Sequence, residues 1–321
     1  MDYSAYYQSI AAAPNALEEH TIPLPSTPTS QSSQRSKPWR RFSLGDSSKK
    51  SPAPEPITSI RVITWNIDFM AANTRGRMVT ALNYIQDDVL LEDEQDRCCI
   101  LFQEVDHDAY RALCEHKWVR DKFVILPEDE ELPHSYNVVT LVSKAIPVLR
   151  VQSLHFGNST MGRSALLVDI TLSVGKSSRS SWRKESSAVT CRFANTHLES
   201  LPTGVFARPY QLAAISSLLY QPGIHCGVVC GDMNTILPDD EDIHARAALA
   251  DAWYGSSEEE GYTWGYQPAC QFPPGRLDRV FYTHNRRCMV RSPKRIGMGL
   301  RTARGHWVSD HYGLLTTVSV L

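Results

Sequence analysis

A small set of polar residues recurs at one kind of place in this sequence, directly after an apolar run. Asn66 follows ITSIRVIT (57–64), Glu104 follows RCCILF (97–102), His197 follows SAVTCRFAN (187–195), and Asp232 with Asn234 stand in GDMN (231–234) after HCGVVC (225–230). Asp278 lies inside RLDRVFY (276–282), and Asp310 with His311 precede YGLLTTVSVL at the C-terminus. Taken alone, GDMN reads as a turn, because Gly accepts positive φ and short Asx side chains bond nearby backbone. The repetition at four strand ends and just before a fifth strand points further, since rigid strands commonly position reactive groups on the loops beside them.

The residue types define the chemistry. Carboxylates with amides, and no Cys/His cluster, suit a hard oxygen-seeking cation such as Mg²⁺, with Mn²⁺ as a substitute, and disfavour zinc. Two His and several Asp, without a GxSxG elbow or a catalytic Cys, favour metal-assisted attack by water over a covalent intermediate. The sequence has no GxxxxGK[ST] and no convincing GxGxxG, so nucleotide-driven and dinucleotide chemistry are not supported.

The elements that must hold these residues are β-branched runs separated by helical patterns. Beyond the runs above, YNVVTLVS (136–143) and ALLVDITLSV (165–174) read as strands, while 77–92 and 207–220 carry helical spacing. Mixed strands and helices from residue 58 onward imply a layered α/β domain. GKSSRSSWRKES (175–186) reads as a long hairpin loop, and the acidic runs at 87–96, 128–131, 239–242 and 258–260 as solvated faces. Residues 286–304 hold seven Lys or Arg and no acid, the composition of a basic arm that touches phosphates.

Residues 1–57 differ in texture. Ser, Pro and polar residues dominate, and the expectation is a disordered tail unable to offset its ordering entropy. KPWRR (37–41) and KK (49–50) have the form of a nuclear-localisation signal, and RRFS (40–43) that of a basophilic kinase site, although both motifs are short. The whole chain has 321 residues, 42% hydrophobic, with a formal charge of −2. It lacks a signal peptide and any apolar run long enough to span a membrane, so the expected location is nucleus or cytoplasm, and the expected state a monomer. Its eight cysteines show no CxxC pair and read as reduced thiols.

TWNID, LFQEV, THLES, GDMN, RLDRVFY and SDHYGLL, in this order, resemble the endonuclease/exonuclease/phosphatase superfamily of Mg²⁺-dependent phosphodiesterases over residues 58–321. Within it, TWNID, HLES, YTW (262–264) and SDHxGLL look most like the 5′-tyrosyl-DNA phosphodiesterase family, which frees DNA 5′ ends of a covalently attached tyrosine or peptide. The resemblance implies a four-layered α/β sandwich, two packed mixed β-sheets flanked by helices. It implies that Glu104, with Asn66 and Asp310, holds the metal, that Asp232 activates water beside Asn234, and that His311, oriented by Asp278, stabilises the phosphorane. It places His197, Ser200, Arg163 and Trp264 against the substrate. Two positions depart from the pattern: Thr235-Ile236 stand where Leu-Arg is usual, and Phe69 where Gly is usual. Alternative readings are another nuclease of the superfamily (abasic-site, exonucleolytic or deadenylating), an inositol or sphingolipid phosphodiesterase, and a catalytically dead binding module.

Overall fold

The computed structural model describes residues 14–20, 22, 56–128, 136–174, 187–284 and 286–321. The basic motifs at 37–41, 40–43 and 49–50 and the loop at 175–186 lie outside the described residues.

In chain order the strands are β1 (Ala16–His20), β2 (Ser59–Asn66), β3 (Cys98–Val105), β4 (Phe123–Leu126), β5 (Asn137–Ser143), β6 (Val148–His155) and β7 (Ser164–Ser173). They continue with β8 (Ala188–His197), β9 (Ile224–Asp232), β10 (Leu249–Asp251), β11 (Asp278–Thr283), β12 (Cys288–Val290), β13 (Lys294–Ile296) and β14 (Gly313–Val320). Among the described residues the α-helices are α1 (Thr74–Tyr84), α2 (His107–Glu115), α3 (Lys117–Lys122), α4 (Arg208–Leu219) and α5 (Ile243–Arg246). One sheet runs β1-β6-β7-β8-β9-β11-β10; the other runs β12-β14-β2-β3-β5-β4, with β13 also paired to β14. Each sheet mixes antiparallel pairs with one parallel pair, β8·β9 in the first and β2·β3 in the second.

Side-chain alternation along the strands explains the layers. Ile60 and Val62 of β2, Cys99 and Leu101 of β3, Cys191 and Phe193 of β8, and Cys226 and Val228 of β9 meet in a single core between the sheets. The opposite faces pack outward. Ile63, Trp65, Ile100 and Phe102 lie under α1, α2 and α3, and Ala194, Val229 and Phe281 lie under α4 and α5. The result is the expected four-layered α/β sandwich. Among the described residues all eight cysteines are free thiols, six of them buried.

Two expectations are corrected. Residues 1–57 are not wholly without order, because Ala16–His20 pairs antiparallel with β6. Its sequence, ALEEH, has no apolar alternation, since the strand is mostly exposed and is held by its main chain; periodicity therefore could not reveal it. The helix expected at 77–92 begins earlier, at Thr74, and after Tyr84 widens into a π-helical turn over Ile85–Val89.

Candidate active site

The site is the continuation of the inter-sheet core past its apolar end. Continuing the parity of the core residues, Asn66 follows Ile60 and Val62, His197 follows Cys191 and Phe193, and Asp232 follows Cys226 and Val228. Asp278 likewise shares a face with Val280. The two sheets thus converge on a buried polar cluster where their apolar residues stop.

Glu104 is an exception to the parity, and the backbone shows why. Strict alternation would aim it with Phe102 toward the helices. The β3·β5 register shifts between Phe102 and Val105, and Glu104 has φ 58°. Such a bulge re-aims a side chain. Glu104 Oε2 accepts a hydrogen bond from Phe69 N at 3.0 Å, and Oε1 lies 3.8 Å from His197 Nδ1.

GDMN forms a turn, and the turn places Asp232 in the polar cluster. Gly231, at φ 144°, passes so close to β8 that a Cβ would collide with the Thr196 carbonyl oxygen. Asn234 adopts φ 48° and donates its backbone N–H to Asp232 Oδ1 at 2.9 Å, an Asx turn. The same turn leaves Asp232 Oδ2 facing three groups. Asn66 Nδ2 donates to it at 3.1 Å, and His197 Nε2 and His311 Nε2 lie 3.4 and 3.8 Å away.

The two imidazoles differ in charge. His311 Nδ1 lies 2.8 Å from Asp278 Oδ2, and Trp65 Nε1 and Gln267 Nε2 donate to the His311 carbonyl. Burial alone would lower its pKa, but the fields of Asp278, Asp310 and Asp232 together hold it well above the usual range. The carboxylates around His311 thus favour its charged, imidazolium form. At His197, burial and then the neighbouring Arg163 and His311 cations push the pKa well below normal. Arg163 Nη1 donates to His197 Nδ1 at 2.7 Å, and because a guanidinium can only donate, the His197 proton is assigned to Nε2, toward Asp232.

Burial is also the main reason that the carboxyls of Asp232 and Glu104 are raised, Glu104 to about 7. Asp68 is raised by burial and then by the charge of Asp310. Buried carboxylates whose charge is disfavoured by desolvation suit a divalent cation, and their oxygen donors suit a hard one. Asp232, Asp278 and His311 approach closely enough to share an ion. An imidazolium bound to Asp278 is not a ligand, however, so the donors that fit are Glu104 and Asn66. The charges of Asp68, Asp106, Asp310 and Glu104 all act on the buried Arg77 guanidinium. Asp310 is one-third exposed and accepts from Trp264 Nε1 at 2.9 Å, which brings Trp264 to the rim.

Arg163 is neither exposed nor on an edge strand. It is 6% exposed, just ahead of the interior strand β7, and its second terminal nitrogen donates to Ser200 Oγ at 2.9 Å. Its guanidinium lies over the Tyr136 ring at 5.1 Å from the centroid. Tyr136 in turn stacks on Phe69 at 4.0 Å. Arg163 thus joins His197 to Ser200 from inside the wall.

Sequence reading missed the supports of the site. Arg77, fully buried in α1, donates to the carbonyls of Ile67, Asp68, Ala71 and Val308, tying the loop after Asn66 to the segment before His311. Glu199, one residue before Ser200, accepts from Ser159 Oγ at 2.6 Å and from Thr160 N at 3.0 Å, which anchors the loop that leads to Arg163. The available signal for each was a charged residue at a position whose pattern demanded burial. Two of the basic residues in 286–304 are engaged locally: Arg301 stacks on Trp307 at 3.4 Å and Arg295 on Tyr312 at 5.6 Å.

Two sheets that converge on buried carboxylates, amides and an ion-paired imidazole form a site whose donor set fits phosphoester hydrolysis. A family model, the Endonuclease/Exonuclease/phosphatase family, matches residues 63–311, and the chain belongs to that family. It is a hydrolase of phosphodiester bonds, in a family whose members depend on divalent metals. No curated protein matches the sequence significantly. Several solved structures share the fold. D. rerio TDP2 complexed with single strand DNA product has a TM-score of 0.65 and 18% identity, covering 82% of this chain and 100% of that one. Truncated Caenorhabditis elegans TDP2 has a TM-score of 0.62 and 21% identity, covering 82% and 98%. The human Nocturnin catalytic domain with bound sulfate has a TM-score of 0.57 and 20% identity, covering 83% and 96%.

Proposed function

We propose that this protein is a Mg²⁺-dependent phosphodiesterase that hydrolyses 5′-phosphotyrosyl-DNA bonds, serving DNA end repair as a monomer in the nucleus or cytoplasm. The observation that carries the reading is the convergence of Asn66, neutral His197 and ion-paired His311 on one oxygen of Asp232. Support for the substrate comes from the TWNID, HLES, YTW and SDHYGLL forms and from the likeness to a TDP2 fold that holds a single-strand DNA product.

Glu104 and Asn66, with Asp310 nearby, are the residues to hold Mg²⁺, with Mn²⁺ as a substitute; the bound ion supplies Lewis-acid polarisation of the phosphoryl oxygen. Asp232 takes the proton of the attacking water, because its raised pKa brings a carboxylate closer to the range of a working base. Asn234, with one amide N–H committed to the Leu198 carbonyl, has its remaining amide groups for that water. His311 offers its Nε2 proton to the charge that develops on phosphorus, while Asp278 keeps it charged and oriented. His197, held through Nδ1 by Arg163, which Ser200 in turn anchors, keeps its Nε2 proton on the Asp232 side, where it can be shared with a phosphate oxygen. Trp264 stands at the rim for the DNA end.

The departures at Phe69 and Ile236 favour a second reading, another nuclease or phosphodiesterase of the same family. Phe69 stacks on Tyr136 while its backbone N–H binds Glu104, and Ile236 is 43% exposed where the family pattern expects a cation. The test incubates the protein with a 5′-tyrosyl oligonucleotide, in Mg²⁺ or EDTA, beside oligonucleotides carrying an abasic site or a plain 5′ phosphate. Mg²⁺-dependent release of tyrosine with intact controls supports the proposal. Cleavage of a control alone moves the function to the second reading. Turnover that persists in Glu104→Ala without metal sinks the mechanism.

A further inference from the structure

The N-terminal strand β1 is unusual in what holds it. Four of its five residues are exposed, and Leu17 keeps 48% of its surface. Its attachment is the ladder to β6, from Ala16↔His155 to His20↔Val151, together with polar contacts along the same edge. Glu18 lies 3.3 Å from His155, Glu19 lies 3.9 Å from Arg150 and accepts from Gln152, and His20 Nε2 lies 2.7 Å from Ser153 Oγ. A strand held by hydrogen bonds and exposed ion pairs, with little apolar burial, is at the low-stability end of a fold.

Its start reaches toward the active site. Asn15 Oδ1 accepts from Gly157 N at 3.0 Å, in the loop that leads from β6 to Arg163. In the same row, Ala16 pairs with His155 and His155 with Ser164, the neighbour of Arg163. Ser164 O accepts from Thr196 Oγ1, and Thr196 precedes His197. We infer that the β6 edge is a docking site for an extended acidic segment, occupied by Asn15–His20 of this chain, and that docking braces the 157–163 loop and so positions Arg163 against His197. Asn15 is a positioning residue in this arrangement. The inference rests on the phosphoester hydrolase reading of the site and not on the tyrosyl substrate.

The test uses the full-length chain carrying Leu17→Pro with Glu18→Pro. Adjacent prolines remove at least one N–H directed at β6, whichever face each residue presents. Amide hydrogen exchange over 151–163 is followed together with hydrolysis of bis(4-nitrophenyl) phosphate, a small generic diester. Exchange at Gly157–Arg163 is expected to quicken by about tenfold, the scale of one or two lost net hydrogen bonds. The value of kcat falls severalfold with KM nearly constant, and the synthetic peptide PNALEEHTI restores both. Asn15→Ala is expected to loosen the loop while β6 stays protected. Faster exchange in β6 with an unchanged loop and unchanged kcat would leave β1 as an edge cover and overturn the brace. Unchanged exchange throughout would overturn the docking itself. The exchange readout stands even when the diester is not turned over, so failure of the substrate reading is separable from failure of this one.

Discussion

His311 and His197 face the same oxygen of Asp232, one from the segment before β14 and one from the end of β8, in opposite sheets. They are similarly buried, yet the pKa of His311 is held well above the usual range and that of His197 well below it. The difference lies in what stands behind each ring. A carboxylate behind His311 reverses the effect of burial, whereas a guanidinium behind His197 adds to it. The pair shows that burial alone does not set protonation; the partner of the far nitrogen does.

The comparison breaks most severely at Asp278. Asp278→Asn should cut kcat by about 10²–10³-fold, the usual cost of losing one organised charge-stabilising donor. His311→Ala should cost about as much, and the double variant little more, because the two act as a unit. A kcat for Asp278→Asn close to that of the parent would refute the assignment of charge to His311.

The pH dependence of stability, followed by urea unfolding in EDTA, should separate the two rings. His311 has a raised folded pKa, so its contribution is fully present below the ordinary value of 6.5 and is lost as pH rises through the folded value. His197 has a depressed folded pKa, so its contribution is present above 6.5 and is lost as pH falls toward the folded value. Asp278→Asn should flatten the alkaline limb and leave the acidic one in place. Loss of the acidic limb instead would show that the assignments are exchanged.

Arg163→Ala should have a smaller effect, about tenfold in kcat, because His197 keeps its place in β8 but loses the donor that fixes its tautomer. Arg163→Lys should recover only part of this, since an ammonium cannot serve His197 and Ser200 in the same fork. Equal rates for Arg163→Ala and the parent would mean that Ser200 and the strand alone position His197. The smallest expected change is at Ser200→Ala, about threefold or less in kcat, the loss of one neutral acceptor. A larger loss there would make Ser200 a substrate contact.

Much of this site was legible because its chemistry sits at the ends of strongly patterned strands. Asn66, Asp232 and Asp278 lie one alternation beyond an apolar core, so a period-of-two reading reaches them directly. His197 and His311 were equally visible as residues but not as a contrasting pair, because the charge of each depends on a partner distant in sequence. Arg163 is the instructive case. The resemblance placed it against the substrate, and only the packed loop under Glu199 shows that it turns inward onto His197. Arg77 was invisible for the same reason, since its acceptors come from both sides of the site.

The sequence by itself determined most of the strands, the polar residues at their ends, the layered α/β class and the set of candidate oxygen donors. These follow from local alternation, turn chemistry and residue type, each confined to a few neighbouring positions. Tertiary structure decided the bulge that re-aims Glu104, the opposite charges of the two imidazoles, the inward turn of Arg163 and the pairing of ALEEH with β6. Each of those depends on groups brought together across the chain, where burial and a single neighbouring charge or open strand edge set the outcome.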